Sequence, residues 1–308
     1  MSTQATAAPA PLVGSRLAAV LLGAATIASV VLIIAGVAGP EWWKIIILGI
    51  VEGLTEFLPI SSTAHLLLTS RLIGFENSLG GTFEIFIQLG AVLAVVGYYA
   101  QDLIAKVRDL PTSRETQRFW LNVLIAFIPA AVFGLSLRNF IKGELFQSPT
   151  VIAGALIIGG IVLIAIERVR LTITTTVVEQ MSHRQALLIG LAQATALIPG
   201  VSRSGASMVG GLLGGLDRTT ATRFAFYLSI PTLGIATIVD LLQSLRDGLL
   251  SSSDIGPLAL GTLVSFVVAW LSIGWLLRYV SRNSFAAFGV YRIIAGIVVL
   301  VAFAVGWL

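Results

Sequence analysis

Apolar stretches long enough to cross a bilayer recur along almost the whole chain. Of its 308 residues, 56% are hydrophobic and only 11% are Asp, Glu, Lys or Arg, whereas a typical soluble domain carries about 25% charged residues. So few charges cannot cover the surface of a soluble fold of this size, and the composition is too apolar for a disordered chain. The sequence therefore predicts an all-α polytopic membrane protein.

Seven full transmembrane helices are predicted, since each crossing needs about 20 apolar residues. They lie near 17–38, 83–100, 118–137, 150–167, 222–241, 257–277 and 286–307. Residues 1–40 are predicted to form a tail and an extra helix ahead of a membrane domain over 41–308. The apolar run 17–38 exceeds the roughly 7–15 residues of a signal-peptide core, which favours an uncleaved helix over cleavage near Ala38.

Two further apolar stretches, 43–73 and 185–216, are interrupted in the middle by helix-breaking and polar residues. Pro59 breaks the first, and Pro199 with Gly200 breaks the second. Irregular backbone at membrane depth is tolerated only where protein or a water-filled cavity surrounds it. Both stretches are therefore predicted to be re-entrant helical hairpins.

The basic residues of the loops set the orientation. Ten lie on one predicted side of the membrane and five on the other, and the side richer in basic residues stays in the cytoplasm. The hairpin 43–73 then enters from outside and the hairpin 185–216 from the cytoplasm. Hairpins of opposite entry are typical of an inverted repeat.

A weak internal similarity supports that repeat. Gly49 and Glu52 align with Gly190 and Gln193 at a shift of 141, and Phe83 aligns with Phe224 at the same shift. Pro59 and Ser62 align with Pro199 and Ser202 at a shift of 140. The predicted repeat halves are about 43–137 and 185–277.

The first hairpin carries an acidic pair, Glu52 and Glu56, followed by Ser61, Ser62 and His65. The two acids are four residues apart and share one helix face. Two like charges at membrane depth lower stability, so the presence of the pair indicates a functional role rather than a structural one. The acids either bind a divalent cation or carry a proton, and His65 is a candidate base or nucleophile. An exposed loop at the membrane surface is the structural alternative.

The second hairpin carries a turn with the chemistry of a phosphate cradle. It reads Pro199-Gly-Val-Ser-Arg-Ser-Gly-Ala-Ser207 and leads into a helix. Small residues let backbone N–H groups approach an anion, and Arg203 offers a two-pronged donor for phosphoryl oxygens. The hydroxyls of Ser202, Ser204 and Ser207 are further candidate phosphate ligands. Alternatively, Arg203 pairs with one of the glutamates, and both roles are compatible in one site.

Other polar residues of the spans carry weaker signals. Glu84 and Gln88 either support the site or cap a helix, and Arg292 is expected to pair with an acidic group. The chain has no cysteine and two histidines, which excludes thiolate chemistry and a multi-histidine metal site. No basic patch with interleaved aromatic residues indicates nucleic acid, and none is expected as a partner.

Together these groups suit hydrolysis of a phosphate carried on a lipid, and a carrier that moves the same headgroup is the alternative. Both motifs closely resemble the undecaprenyl-diphosphatase family, also called the bacitracin-resistance phosphatases. The first resembling stretch is Leu48–Leu67 and the second is Pro199–Ser207, with further similarity in Phe83–Ala94, Arg184–Pro199 and Phe288–Ile293.

The resemblance implies a membrane phosphatase domain over 41–308 that converts undecaprenyl diphosphate to undecaprenyl phosphate. It implies recycling of the lipid carrier for cell-wall synthesis, bacitracin resistance, and a divalent cation, Mg or Ca. It also implies a site on the outer side of the bacterial cytoplasmic membrane. The implied catalytic residues are Glu52, Glu56, Ser62, His65 and Arg203, and the implied phosphate ligands add Ser61, Ser202, Ser204 and Ser207. The nucleophile, translocation of the monophosphate carrier and a homodimer stay open.

Overall fold

The computed structural model describes residues 16–37, 39–75, 82–137, 140–145, 148–248 and 252–306. Over these residues the chain is helical, and extended pairing is limited to an isolated bridge between Thr175 and Leu216. The predicted all-α fold is confirmed. The α-helices are α1 (Arg16–Ile34), α2 (Trp42–Thr55), α3 (Ser62–Leu72), α4 (Thr82–Tyr98), α5 (Ala100–Asp109), α6 (Arg114–Ser136), α7 (Pro149–Arg168), α8 (His183–Ala194), α9 (Arg203–Leu213), α10 (Arg218–Arg246), α11 (Ile255–Val280) and α12 (Ala286–Ala304).

Six helices of the described part are long and apolar enough to cross a membrane, namely α1, α6, α7, α10, α11 and α12. A seventh crossing results if α4 and α5, which meet at a bend of 66°, count as one broken span. The prediction of about seven spans is confirmed. The sequence predicts a loop between the spans 83–100 and 118–137, and this is wrong in part because α5 extends through Asp109.

The reason for that difference is a buried ion-pair cluster at the end of α5. Lys106 is one of the ten basic residues that the sequence places in loops on the cytoplasmic side, yet it is only 8% exposed. Its ammonium donates to Asp102 at 3.0 Å and to Glu179 at 2.5 Å, and the Tyr227 hydroxyl also donates to Asp102. Because each buried charge has a partner, the polar segment can fold as a helix against the bundle.

Large apolar side chains cover the outside of the bundle, as a lipid-facing surface requires. Ile34 and Leu135, for example, are 80% and 75% exposed. Helix α11 lies at the centre of one half of the molecule, where it packs on α1, α2 and α4, while α7 packs on α12. The buried core thus lies between the hairpins and the long helices, and it positions both hairpin breaks inside the bundle.

Both predicted hairpins are helix pairs broken at their motifs. Helix α2 ends at Thr55 and α3 begins at Ser62, while α8 ends at Ala194 and α9 begins at Arg203. The helices of each pair pack against each other. Proline, glycine and consecutive hydroxyl residues interrupt the helical hydrogen bonding, as the sequence predicted.

The two breaks share one unusual backbone conformation. Ser61 has φ 71° and Ser202 has φ 75°, and they are the only non-glycine residues with positive φ in the described ranges. Each immediately precedes the second helix of its hairpin. The sequence alignment paired Ser62 with Ser202, and this was wrong by one residue. Ser61 and Ser202 correspond at a shift of 141, the shift that also relates Glu52 to Gln193.

Equivalent packing of the two hairpins supports the predicted repeat. Helix α2 packs on α11 and α8 packs on α6. A Cβ added at Gly49 would lie 3.0 Å from the Gly261 carbonyl of α11, and one added at Gly190 would lie 2.4 Å from the Ala126 carbonyl of α6. Each hairpin therefore uses the same glycine position to approach the backbone of its long neighbouring helix.

Candidate active site

The two hairpin breaks meet at the carboxylate of Glu56. Glu56 is 6% exposed, and its Oε1 accepts a hydrogen bond of 3.1 Å from Arg203 Nη2. Its Oε2 accepts a hydrogen bond from the hydroxyl of Ser62, the first residue of α3. One acid of the first hairpin is thus bound by an arginine of the second. Charge-assisted hydrogen bonds of this kind are about twice as strong as neutral ones.

The second motif forms a tight turn at the start of α9. The Ser202 hydroxyl accepts from the Gly205 backbone N–H at 3.1 Å and caps the helix. The Ser204 hydroxyl lies 3.0 Å from that of Ser202 and donates to the Leu58 carbonyl at 3.0 Å, which ties the turn to the first hairpin. The N-terminus of α9 therefore points at the junction of the hairpins, where it favours an anion.

A narrow cleft opens beside this junction. Glu56, Arg203, Ser204 and Ser207 line it. The Ser207 hydroxyl donates to Gln193 Oε1 at 3.1 Å, so this hydroxyl is held by the residue that corresponds to Glu52 in the repeat. The cleft is where an anionic group would reach the Arg203 guanidinium, which is 31% exposed.

Glu52 lies one helical turn before Glu56 and is fully buried. Neither of its carboxylate oxygens has a hydrogen-bond partner among the described residues. The charged groups that act on it are Glu56, Arg203 and Glu84. A buried carboxylate without a donor requires a proton or a cation, and carboxylate oxygens are the ligand type that a divalent ion such as Mg²⁺ prefers. No cluster of three or more acidic or histidine side chains suited to a metal occurs in the described ranges.

The ring of His65 connects its own hairpin to the last helix. Its Nδ1 lies 2.7 Å from the Ser61 carbonyl and its Nε2 lies 2.6 Å from the Tyr291 hydroxyl. The two rings are stacked with centroids 5.5 Å apart. A carbonyl only accepts, so Nδ1 carries the hydrogen, and in the neutral ring Nε2 accepts from Tyr291. Ser61 therefore orients His65 through its backbone, while its own side chain is buried.

Arg292, the neighbour of Tyr291, holds the two breaks together. Its guanidinium donates to the Pro59 carbonyl at 3.1 Å and to the Gly200 carbonyl at 2.9 Å. It also donates to the carbonyls of Ala155 and Leu156 in α7. The expected acidic partner was wrong, because these four partners are backbone carbonyls. Arg292 is 1% exposed, so these bonds replace the water that its charge has lost.

The structure thus joins Glu56, Ser62 and Arg203 directly, and Ser204 and Ser207 line the same cleft as Glu56 and Arg203. Glu52 lies one helical turn before Glu56, and the hydrogen bonds of His65 go instead to Ser61 and Tyr291. Sequence reasoning missed Tyr291, whose only signal was a polar pair, Tyr291 and Arg292, within an otherwise apolar final span.

Comparison with known proteins identifies the family. The family model described as "Bacitracin resistance protein BacA" matches residues 45–298, which include both hairpin breaks and most of the last helix. This chain belongs to that family. The match begins just after the start of α2 and ends inside α12, so it contains every residue of the site described above.

Three curated relatives are named undecaprenyl-diphosphatase. The protein of Albidiferax ferrireducens is 50% identical over 261 residues, covering 83% of this chain and 93% of the relative. That of Deinococcus radiodurans is 47% identical over 269 residues, covering 86% and 97%. That of Dechloromonas aromatica is 48% identical over 264 residues, covering 86% and 95%. The relatives therefore match this chain over nearly their whole length.

Proposed function

We infer that this protein hydrolyses undecaprenyl diphosphate to undecaprenyl phosphate and inorganic phosphate, which recycles the lipid carrier for cell-wall synthesis and gives bacitracin resistance. Two findings support the inference: the chain belongs to the BacA family, and its curated relatives are named undecaprenyl-diphosphatase. The observation that carries it is the junction at Glu56, where Ser62 of one hairpin and Arg203 of the other bind the same carboxylate.

The terminal phosphate is proposed to bind between the two hairpin breaks. The Arg203 guanidinium releases Glu56 and donates to the phosphoryl oxygens instead, which exchanges one charge-assisted hydrogen bond for another. The N-termini of α3 and α9, which begin at Ser62 and Arg203, add their backbone N–H groups. The hydroxyls of Ser202, Ser204 and Ser207 are proposed as further phosphate ligands. Ser61 is proposed to fix the direction in which α3 begins, through its positive φ.

Ser62 is proposed as the nucleophile and Glu56 as its base. Glu56 takes the hydroxyl proton, the Ser62 oxygen bonds to the terminal phosphorus, and the bridging P–O bond breaks. Glu56 returns the proton to the departing undecaprenyl phosphate. A water then gives a proton to Glu56 and its oxygen bonds to the phosphorus of the Ser62 phosphoester, so that the bond between phosphorus and the Ser62 oxygen breaks. Phosphate leaves, and Glu56 gives the proton to the Ser62 oxygen, which restores the serine. Arg203 stabilises the charge that develops on phosphorus.

His65 is proposed to position α3 rather than to attack phosphorus, because both of its ring nitrogens already have partners. Its bonds to Ser61 and Tyr291 hold the first turn of α3, which carries Ser62. A water activated by His65 would be the alternative to attack by Ser62, and the variants described below separate the two.

Glu52 and Glu56 are proposed to bind a divalent cation, Mg or Ca, together with the diphosphate. Mg²⁺ in proteins is often held by one or two carboxylates plus substrate phosphates, and it supplies charge neutralisation at the phosphoryl oxygens. The two unpartnered oxygens of Glu52 are the feature that supports this proposal.

The protein is a multi-pass membrane protein, and we propose the bacterial cytoplasmic membrane with the site open to the outer side. The excess of basic residues in the segments 101–118, 168–184 and 278–284, which connect or flank the spans, supports this orientation. Lys106 is paired and buried, which reduces that excess by one without reversing it.

Phosphate release from undecaprenyl diphosphate by the purified protein in detergent tests the function. We expect release by the native chain, and a loss of at least about 100-fold in Ser62→Ala, the scale of acid–base and nucleophile effects. Ser70→Ala is the matched control, because Ser70 also lies on α3 and its hydroxyl donates only to the local Leu67 carbonyl. Binding of the headgroup without release of phosphate would refute the enzymatic function and favour a translocase. The described residues offer no separate support for a translocase.

A further inference from the structure

A buried glutamine, Gln193, lies in the wall of the polar cleft. It belongs to the last turn of α8, is 3% exposed, and lines the same cleft as Glu56 and Arg203. Its Oε1 accepts from the Ser207 hydroxyl at 3.1 Å, whereas its Nε2 has no hydrogen-bond partner among the described residues. A buried amide nitrogen without an acceptor lowers stability, and an apolar side chain of the same shape would avoid that loss. Packing alone therefore does not explain a glutamine here.

The contact with Ser207 places this amide next to the arginine of the second motif. Arg203 and Ser207 are four residues apart on α9, so they share one face of that helix. Gln193 binds the second of them and therefore lies against the face of α9 that carries the first. The amide of Gln193 and the guanidinium of Arg203 thus border one cleft.

The second hairpin contributes no carboxylate to this cleft. The sequence has no Asp or Glu between positions 183 and 213. At the repeat shift of 141, Glu52 corresponds to Gln193, and Glu56 corresponds to Leu197. The first hairpin therefore supplies carboxylate oxygens, which suit a cation, while the second supplies a guanidinium, an amide and hydroxyls, which can donate to an anion.

The chemistry of Nε2 restricts what can complete its hydrogen bonding. An amide nitrogen donates and does not accept, so its missing partner is a hydrogen-bond acceptor rather than a metal ion. A ligand that also binds the Arg203 guanidinium carries negative charge, and it must be small enough for a narrow cleft. A phosphoryl group meets all three conditions, because its oxygens accept several hydrogen bonds at once.

We propose that Gln193 is a substrate-binding residue whose Nε2 donates to one oxygen of the terminal phosphate while Arg203 binds another. The proposal rests on the proposed function, which places this phosphate between the hairpin breaks. Ser207 holds the amide oxygen, which leaves the nitrogen for the substrate. Because the amide is neutral, it adds a donor to the site without adding a charge to the membrane interior.

Replacing the amide by a methionine tests the proposal. Gln193→Met keeps a side chain of similar length and removes both polar atoms. Loss of one hydrogen bond to a charged group should lower kcat/KM for phosphate release from undecaprenyl diphosphate about 10-fold or more. By the same reasoning, the Kd for methylenediphosphonate, a diphosphate mimic with a carbon bridge, should rise at least about 5-fold. This Kd is measured by titration calorimetry on the purified full chain in detergent.

Gln117→Met is the matched control for the loss of a glutamine amide. Gln117 is an exposed residue of α6, and its amide donates to the Leu110 carbonyl, which lies outside the site. This control should change neither measurement. Gln193→Leu accompanies Gln193→Met throughout, so that the test does not depend on how one apolar side chain packs. Native values for both Gln193 variants in both measurements would overturn the proposal.

A purely structural role of Gln193 makes a different prediction. If Gln193 only held the Ser207 hydroxyl, Gln193→Met would have no further effect in a Ser207→Ala background. Direct binding of the phosphate predicts that Gln193→Met still lowers kcat/KM at least about 5-fold in that background, because the bond to Nε2 is lost in addition. Absence of this further loss would reduce Gln193 to a support for Ser207 and overturn the proposal.

The role of Gln193 and the proposed function fail in different ways. If the native chain releases no phosphate from undecaprenyl diphosphate, the proposed function fails, and the calorimetry still reports whether Gln193 binds a diphosphate. If the native chain releases phosphate and the Gln193 variants match it in both measurements, the role of Gln193 alone fails.

Discussion

Replacing Arg292 by lysine is predicted to slow catalysis without removing the buried charge. The guanidinium uses Nη1 for the Pro59 carbonyl of the first hairpin and Nη2 for the Gly200 carbonyl of the second. Lysine has one nitrogen, which cannot occupy both positions. The variant therefore loses at least one bond between the hairpins. A hydrogen bond to a charged group contributes about 1.5–3 kcal/mol, which corresponds to about 10- to 100-fold in rate.

The assay is phosphate release by purified variants with substrate varied, which separates kcat from KM. The effect should fall on kcat, because Arg292 sets the position of Arg203 relative to Ser62 and touches no proposed phosphate ligand. Arg292→Met, which also removes the charge, should be slower still. Arg71→Lys is the matched control, since Arg71 is an exposed arginine at the end of α3. A value of kcat for Arg292→Lys within 3-fold of the native chain would refute the reasoning.

Arg203→Ala should lower kcat/KM for phosphate release at least 100-fold, the effect of a lost charge-stabilising donor, and near-native kinetics would exclude its phosphate role. Glu52→Gln should abolish or strongly weaken the dependence of activity on divalent cations, and an unchanged metal titration would exclude direct ligation. Tyr291→Phe should lower the rate a few-fold, about the value of one neutral hydrogen bond. A loss as large as that of Ser62→Ala would instead indicate that His65 acts directly in catalysis. Ser62→Cys and Ser113→Cys should react with an impermeant maleimide from opposite sides of the membrane, and reaction from the same side would refute the predicted topology.

Much of this fold follows from patterns within single segments of the sequence. Each span is a continuous apolar run, and each hairpin is such a run interrupted by a proline and by hydroxyl residues. The junction of the hairpins could also be expected, because unpaired charges such as Glu56 and Arg203 are unfavourable in a membrane unless they meet. These signals depend on local hydropathy, which can be read completely from a single sequence.

The contacts of the last helix could not be predicted in this way. Arg292 binds the carbonyls of Pro59 and Gly200, and Tyr291 binds His65, across 226 residues of chain. Backbone carbonyls have no signature in the sequence, so an arginine that binds them looks unpaired. The one-residue error in the repeat has a related cause, because the positive φ of Ser61 and Ser202 is a property of the turn and not of the residue type.

The central claim is that residues of two separate hairpins form one phosphate site, and a double-mutant cycle between Glu56 and Arg203 tests it most directly. Glu56→Gln, Arg203→Lys and the double variant are compared by kcat/KM for phosphate release from undecaprenyl diphosphate. Groups in direct contact couple by about 0.5–3 kcal/mol, whereas independent sites add within about 0.5 kcal/mol. The account predicts that the double variant is slower than the native chain by clearly less than the product of the two single losses. Losses that simply multiply would contradict it.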